Sequence, residues 1–162
     1  MRHLKKKFAR PMKPWEKQRI LDERALIKEY AYKNKREIWR VKAHLNGYRN
    51  FAKTLVSIRN NQQVKEKNDF LKSLFDKGVI KENASVEDVL ALTIRDISER
   101  RLQTLVFRKG LAKTPKEARQ FIAHGRIAIG ERKVRSPSVI VSRKEEELIR
   151  LTNLQKPSGD KQ

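Results

Sequence analysis

Residues 100–141 read RRLQTLVFRKGLAKTPKEARQFIAHGRIAIGERKVRSPSVIV, and the order of signals in this run decides the fold. Ile94, Ile97, Leu102, Leu105 and Val106 recur at helical spacing, which predicts one helix entered at Thr93 and closed by Gly110. Thr114 then caps a second helix: its hydroxyl accepts from the N3 amide, Pro115 suits N1, and Glu117 at N3 reaches back to the Thr114 amide. Ala118, Phe121 and Ile122 face inward on that helix, leaving Lys116, Arg119 and Gln120 outward. Gly125 ends it. Residues 126–129 and 133–134 form strands around a Gly130-Glu131 turn, with 139–141 as a further strand. The run therefore predicts two helices packed on a short, mainly antiparallel sheet.

Upstream, the pattern is helical. Pro14 opens a helix to about Tyr32, with Trp15, Ile20, Ile27 and Ala31 as its apolar stripe. A second spans residues 35–46, with Ile38, Trp39, Leu45 and the stem of Lys42 on one side and Gly47 as its stop. Arg36, Arg40 and Lys42 are then solvated, and a third helix over 48–58 carries Phe51, Leu55 and Ile58 inward, with Arg49, Lys53 and Arg59 on its basic side. Phe70, Leu71, Leu74 and Phe75 form a buried face closed by Gly78. Ser85 begins a capping box ahead of Val86, Val89, Leu90 and Leu92. The fold class is α+β and predominantly helical. Its expected parts are an extended basic arm (1–13), a helical lobe (14–100) whose last helix continues onward, a helix-and-sheet module (101–154) and a mobile tail (155–162).

Lys plus Arg total 40 against 19 Asp plus Glu in 162 residues, a net charge of +21. Residues 1–67 hold 20 basic and 6 acidic side chains, 68–100 hold 5 and 7, and 101–162 hold 15 and 6, so two basic blocks flank a near-neutral middle. Hydrophobic residues make up 38% and recur at helical spacing inside the basic blocks, which places the charge on folded surface and not on a disordered tail. Such a surface repels itself unless a polyanion neutralises it.

The residues offer little to catalysis. Cys is absent, His3, His44 and His124 are far apart, and the six glycines form neither a phosphate loop nor a dinucleotide fingerprint. No cofactor, metal or small-molecule substrate is expected, and Glu117 reads as a cap, not an acid catalyst. No apolar run reads as a secretion signal or a membrane span, so a soluble intracellular protein away from membranes is expected. Basic side chains on helix and loop suit phosphates instead, because each contact releases counterions and a guanidinium grips two oxygens. The strongest candidates are Thr114, Lys116, Arg119 and Gln120 at a helix start that adds unpaired amides. Arg101, Arg108, Lys109, Lys113, His124, Arg126, Lys133 and Arg135 share the same unit, with Glu117 and Glu131 the acids between Arg101 and Arg143. Lys5, Lys6, Lys7 and Arg10 in the arm and Arg36, Arg40, Arg49 and Lys53 on the upstream helices extend the set. His124 either caps carbonyls or meets a phosphate or base. Trp15, Trp39 and Tyr48 sit at helical spacing and read as core before they read as stacking platforms.

Arg100-Arg101-Leu102-Gln103-Thr104, Phe107-Arg108-Lys109-Gly110-Leu111, Ala118-Arg119-Gln120-Phe121-Ile122 and His124-Gly125-Arg126-Ile127 resemble the S4 RNA-binding domain. That domain also occurs in pseudouridine synthases, tyrosyl-tRNA synthetases and a heat-shock ribosome-recycling protein. Pro14-Trp15-Glu16, Arg36-Glu37-Ile38-Trp39-Arg40 and Asn50-Phe51-Ala52-Lys53 resemble the archaeal branch of the small-subunit ribosomal protein S4 family. The resemblance spans nearly the whole chain. It implies a two-lobe protein of the cytoplasmic small ribosomal subunit that clamps a junction in the 5′ domain of small-subunit (16S) ribosomal RNA early in assembly. It also implies neighbouring small-subunit proteins, and mRNA where it enters the subunit, as further partners. Ile129-Gly130-Glu131 stands where many members have Val-Asn-Gly, Ser138-Val139 replaces a common Ser-Tyr, and the zinc-binding cysteines of some bacterial relatives have no counterpart. The alternatives are an RNA-modifying enzyme carrying an S4 module, and a ribosome-associated RNA chaperone or nucleic-acid coat.

Overall fold

Helix α1 (Lys17–Tyr30) starts later than Pro14 predicts, because Glu16 holds extended backbone (φ −67°, ψ 111°) just ahead of it. The helical register that would carry Trp15 onto the stripe with Ile20 and Ile27 begins too late, and Trp15 stands 90% exposed. It is not core. The computed structural model describes residues 7–56 and 61–152. Most of the arm, the end of the expected third helix at Ile58, Arg59, and the tail fall outside them.

Helix α2 (Lys35–Val56) runs straight through Gly47 and absorbs two predicted helices. Ile38, Val41, Leu45, Ala52 and Leu55 are buried on one stripe that continues across the glycine and packs against two later helices. A glycine costs a helix interior about 1 kcal/mol relative to alanine, less than the burial won on either side of it. Helix α3 (Asn61–Asp76) buries Leu74, sets Phe70 edge-on to Phe51 at 4.7 Å, and is followed by Gly78 at φ 69°. Helix α4 (Val86–Ala91) opens on the Ser85–Asp88 capping box that the sequence predicts. Helix α5 (Ile94–Glu99) opens on a second box, with the Thr93 amide donating to Asp96 Oδ2 at 2.7 Å.

The single helix predicted from Thr93 to Gly110 is two. Arg101 takes extended backbone (φ −72°, ψ 139°), pairs with Ile140 in an antiparallel bridge, and the Leu102 amide donates to the Val139 carbonyl at 2.8 Å. That pairing is between residues distant in sequence, which no local periodicity encodes. By contact density the chain divides here into two compact units, residues 1–100 and 101–162.

The second unit begins with α6 (Leu102–Arg108) and α7 (Pro115–Ala123), continues through β1 (Ile127–Ile129), β2 (Arg132–Lys133) and α8 (Arg143–Glu147), and ends on β3 (Ile149–Leu151). The sheet is antiparallel in the order β2-β1-β3. Ala128 pairs with Lys133 and Ile129 with Arg132 around the expected Gly130-Glu131 turn. Gly130 has φ 60° at the first turn position, which hairpins of the II′ kind give to glycine. Residues 139–141 form no strand beyond the Ile140 bridge; the third strand comes after α8, whose cap is a Ser142–Glu145 box. Leu102, Val106, Ala118, Ile122, Ile127 and Val141 close the core with no exposure, and each large one contributes about 1.5–3 kcal/mol by burial.

Candidate nucleic-acid interface

The start of α7 is the best-defined part of the basic surface. Thr114 Oγ1 accepts from the Glu117 amide at 3.1 Å, as expected of the cap, and Pro115 occupies the first turn. Glu117 does not reach the Thr114 amide; its Oε2 accepts from the Lys113 amide at 2.6 Å, one residue further back. Lys113, Thr114, Lys116 and Gln120 are exposed around this start. Beneath it lies Gln103, 1% exposed, whose amide donates to the Pro115 carbonyl at 2.9 Å and whose Oε1 faces Arg119 Nη1 at 3.5 Å. Gln103 thus pins the first turn of α7 to α6 and holds Arg119, which is half-buried. Sequence reasoning missed this role, because a polar residue between Leu102 and Leu105 carries no local sign of being buried.

At the other end of α7, His124 Nε2 and Gln120 Oε1 are 3.0 Å apart, so the two side chains form one polar edge. Arg126 lies over the Phe121 ring at 5.6 Å, and Arg135 crosses Gly125, where a Cβ would meet its Nε at 3.5 Å. Gly125 (φ 68°) lets the chain turn there and leaves room for that guanidinium. Arg108 and Lys133 are exposed, and Lys109 Nζ donates to the Glu146 carbonyl. Arg101 departs from expectation: it is 2% exposed, drawn inward by its backbone pairing with Ile140, and is not part of the accessible face.

The first unit carries its own exposed cations: Lys7, Arg10, Arg36, Arg40 and Lys53. Lys5 and Lys6 lie outside the described residues. Arg49 turns inward, half-buried, and donates from Nη2 to the Leu92 carbonyl at 2.5 Å, so its charge serves the packing of α2. Trp39 and Tyr48 are half-buried, nearer the core reading than Trp15. A charged hub anchors this region. Glu23, 6% exposed, accepts from Arg19 Nη1 at 2.6 Å and from Trp39 Nε1 at 2.9 Å, with Lys35 Nζ 3.3 Å from its second oxygen. Burial alone would raise its pKa, but the hydrogen bonds from Trp39 and Arg19 and the ammonium of Lys35 close by outweigh it and hold the carboxyl below its ordinary value.

Among the described residues no group of three or more His, Asp or Glu is placed to hold a metal, and no helix is long and apolar enough to cross a membrane. What remains is charge on rigid supports. Two short helices on an antiparallel sheet, cations at a capped helix start and around a hairpin, and a separate basic helical unit together define a class of RNA-binding protein. Residues 1–99 match the model of the Ribosomal protein S4/S9 N-terminal domain, and residues 100–147 match that of the S4 domain. The chain is 50% identical over 145 residues to the small ribosomal subunit protein uS4 of Ignicoccus hospitalis, spanning 90% of this chain and 87% of that one. It is 43% identical over 148 residues to the uS4 of Methanothermobacter thermautotrophicus (91% and 86%) and 46% over 147 residues to that of Nanoarchaeum equitans (90% and 82%). The chain belongs to the ribosomal protein S4 family. None of these relatives bears the name of an RNA-modifying enzyme.

Proposed function

We propose that this chain is a structural, non-catalytic constituent of the small ribosomal subunit that binds the 5′ domain of small-subunit ribosomal RNA as an early assembly protein. The observation that carries the reading is the capped start of α7. Thr114 and the buried Gln103 hold it rigid, and Lys113 and Lys116 stand exposed around it. Charges fixed on a packed helix match the shape of a folded RNA backbone, whereas charges on a tail match any polyanion. Binding is chiefly to phosphate, with Arg108, Lys109, Arg119, Gln120, His124, Arg126, Lys133 and Arg135 extending the face, and Lys7, Arg10, Arg36, Arg40 and Lys53 acting from the first unit. Arg101 and Arg49 support it from within. No bond is made or broken; the work is neutralisation and positioning of RNA. The names of the relatives support placement in the small subunit. The reading adds neighbouring small-subunit proteins, and mRNA where it enters the subunit, as further contacts, and sets them in the cytoplasm.

Tagged protein should cosediment with small subunits from cells, and the Lys113→Glu/Lys116→Glu version should move to the top of the gradient while keeping its circular dichroism spectrum. A double variant that stays with the subunit at wild-type level removes α7 from the interface.

A further inference from the structure

Residues 10–14 lie back along the first unit and, with α1 and α2, border an open cleft of about 530 Å³, within the range of about 300–1,000 Å³ that small ligands occupy. Its lining is cationic and apolar together. Arg10 and Arg36 contribute basic side chains, Pro11, Pro14 and Trp39 contribute apolar ones, and Asn34 and Lys35 bring the first turn of α2. From this lining we infer that the cleft takes one unpaired, splayed-out nucleotide of the bound RNA, with the base against Trp39 and the phosphate on Arg10 and Arg36. The inference rests on the RNA-binding reading above and adds what that reading leaves open, a site for a single nucleotide.

The hub behind the cleft explains why it is preformed. Arg19 is already committed: Nη1 to Glu23, and Nη2 to the carbonyls of Lys13 at 3.1 Å and Pro14 at 2.7 Å. It therefore staples the arm in place and forms a wall without acting as a ligand. Trp39 is likewise fixed in plane by its bond to Glu23, and Phe8 lies against it with ring centroids 5.9 Å apart. Lys35 is in part neutralised by Glu23 at 3.3 Å. Arg10 and Arg36 differ: both are exposed, and neither is in an ion pair among the described residues. Two unneutralised guanidiniums beside an oriented indole suit a ligand that is an anion at one end and a flat ring at the other. Unpaired RNA bases are recognised by stacking on aromatic or guanidinium planes, and phosphates by the guanidinium fork. Inorganic phosphate would use only half of this chemistry.

The chain has two tryptophans, Trp15 and Trp39, so Trp15→Phe leaves Trp39 as the sole tryptophan, excited selectively over the tyrosines. In that full-length variant, adenosine 5′-monophosphate should change Trp39 emission saturably in the millimolar range. Inorganic phosphate and adenosine should each act far more weakly. Arg36→Ala should raise the half-saturation concentration about tenfold, the weight of one charge-assisted hydrogen bond. Binding of the ribosomal RNA 5′-domain transcript is measured on the same protein. If the transcript binds but the nucleotide leaves Trp39 unchanged, or phosphate alone does as well, or Arg36→Ala has no effect, the nucleotide site is refuted and the RNA-binding reading stands. If the transcript does not bind, both fall.

Discussion

Replacing Glu23 by Gln isolates the charge at the centre of the first unit. Gln keeps the size of the side chain and an oxygen that Trp39 can reach, so the loss is the negative charge facing Arg19 at 2.6 Å and Lys35 at 3.3 Å. Removing one member of a buried pair costs about 3–5 kcal/mol. Here the Arg19 and Lys35 side chains are 17% and 39% exposed and regain some water, which brings the figure to about 2 kcal/mol, inside the range for hydrogen bonds to charged groups. For a unit of this size that lowers Tm by about 8–16 °C. Both tryptophans lie in residues 1–100, so thermal unfolding followed by tryptophan emission reads this unit alone. The pH dependence has a definite sign. The folded pKa of Glu23 lies below the ordinary 4.5, so its contribution is fully present above that value and lost as pH falls through the folded pKa. The gap between wild type and Glu23→Gln should therefore narrow in acid. A Tm within about 3 °C of wild type at neutral pH, or a gap that widens in acid, refutes the hub as a stabilising charge.

Gly78→Ala should destabilise the first unit by about 1–2 kcal/mol, because φ is 69° and the new Cβ would sit 2.7 Å from the Arg100 guanidinium carbon; an unchanged urea midpoint contradicts this. Thr114→Ala should cost about 1 kcal/mol through the lost cap and speed amide exchange at Glu117, whose N–H the hydroxyl accepts; protection at wild-type level means the cap is redundant. Lys113→Glu with Lys116→Glu should reduce the slope of log affinity against log salt by about 1.4–1.8, since each lost phosphate contact removes about 0.7–0.9. An unchanged slope places those lysines away from RNA.

What the sequence made legible was local chemistry. Thr114, Pro115 and the outward Lys116 follow from capping rules that act over four residues, and Gly110 and Gly125 end their helices at φ 71° and 68°. Gly47 carries the same residue type but lies inside α2, because a stripe from Ile38 to Leu55 is buried on both sides of it. The break at Arg101 and its burial depend on Ile140, and Gln103 depends on Pro115; neither is visible until the chain has folded. Trp15 went the other way, since the stripe that should have held it starts beyond extended Glu16. β3 did leave a trace. The Ser142–Glu145 box and the alternation of Ile149 and Leu151 signal a short helix and a strand.

Recognition of one folded RNA by these basic residues is tested directly by affinity for the small-subunit ribosomal RNA 5′-domain transcript of its own organism. An unrelated folded RNA of equal length is the comparison, across a salt series. A preference of about 10³-fold, some 4 kcal/mol, that persists as salt rises is the predicted result. Equal affinities that collapse together with salt would contradict it and leave a nonspecific coat.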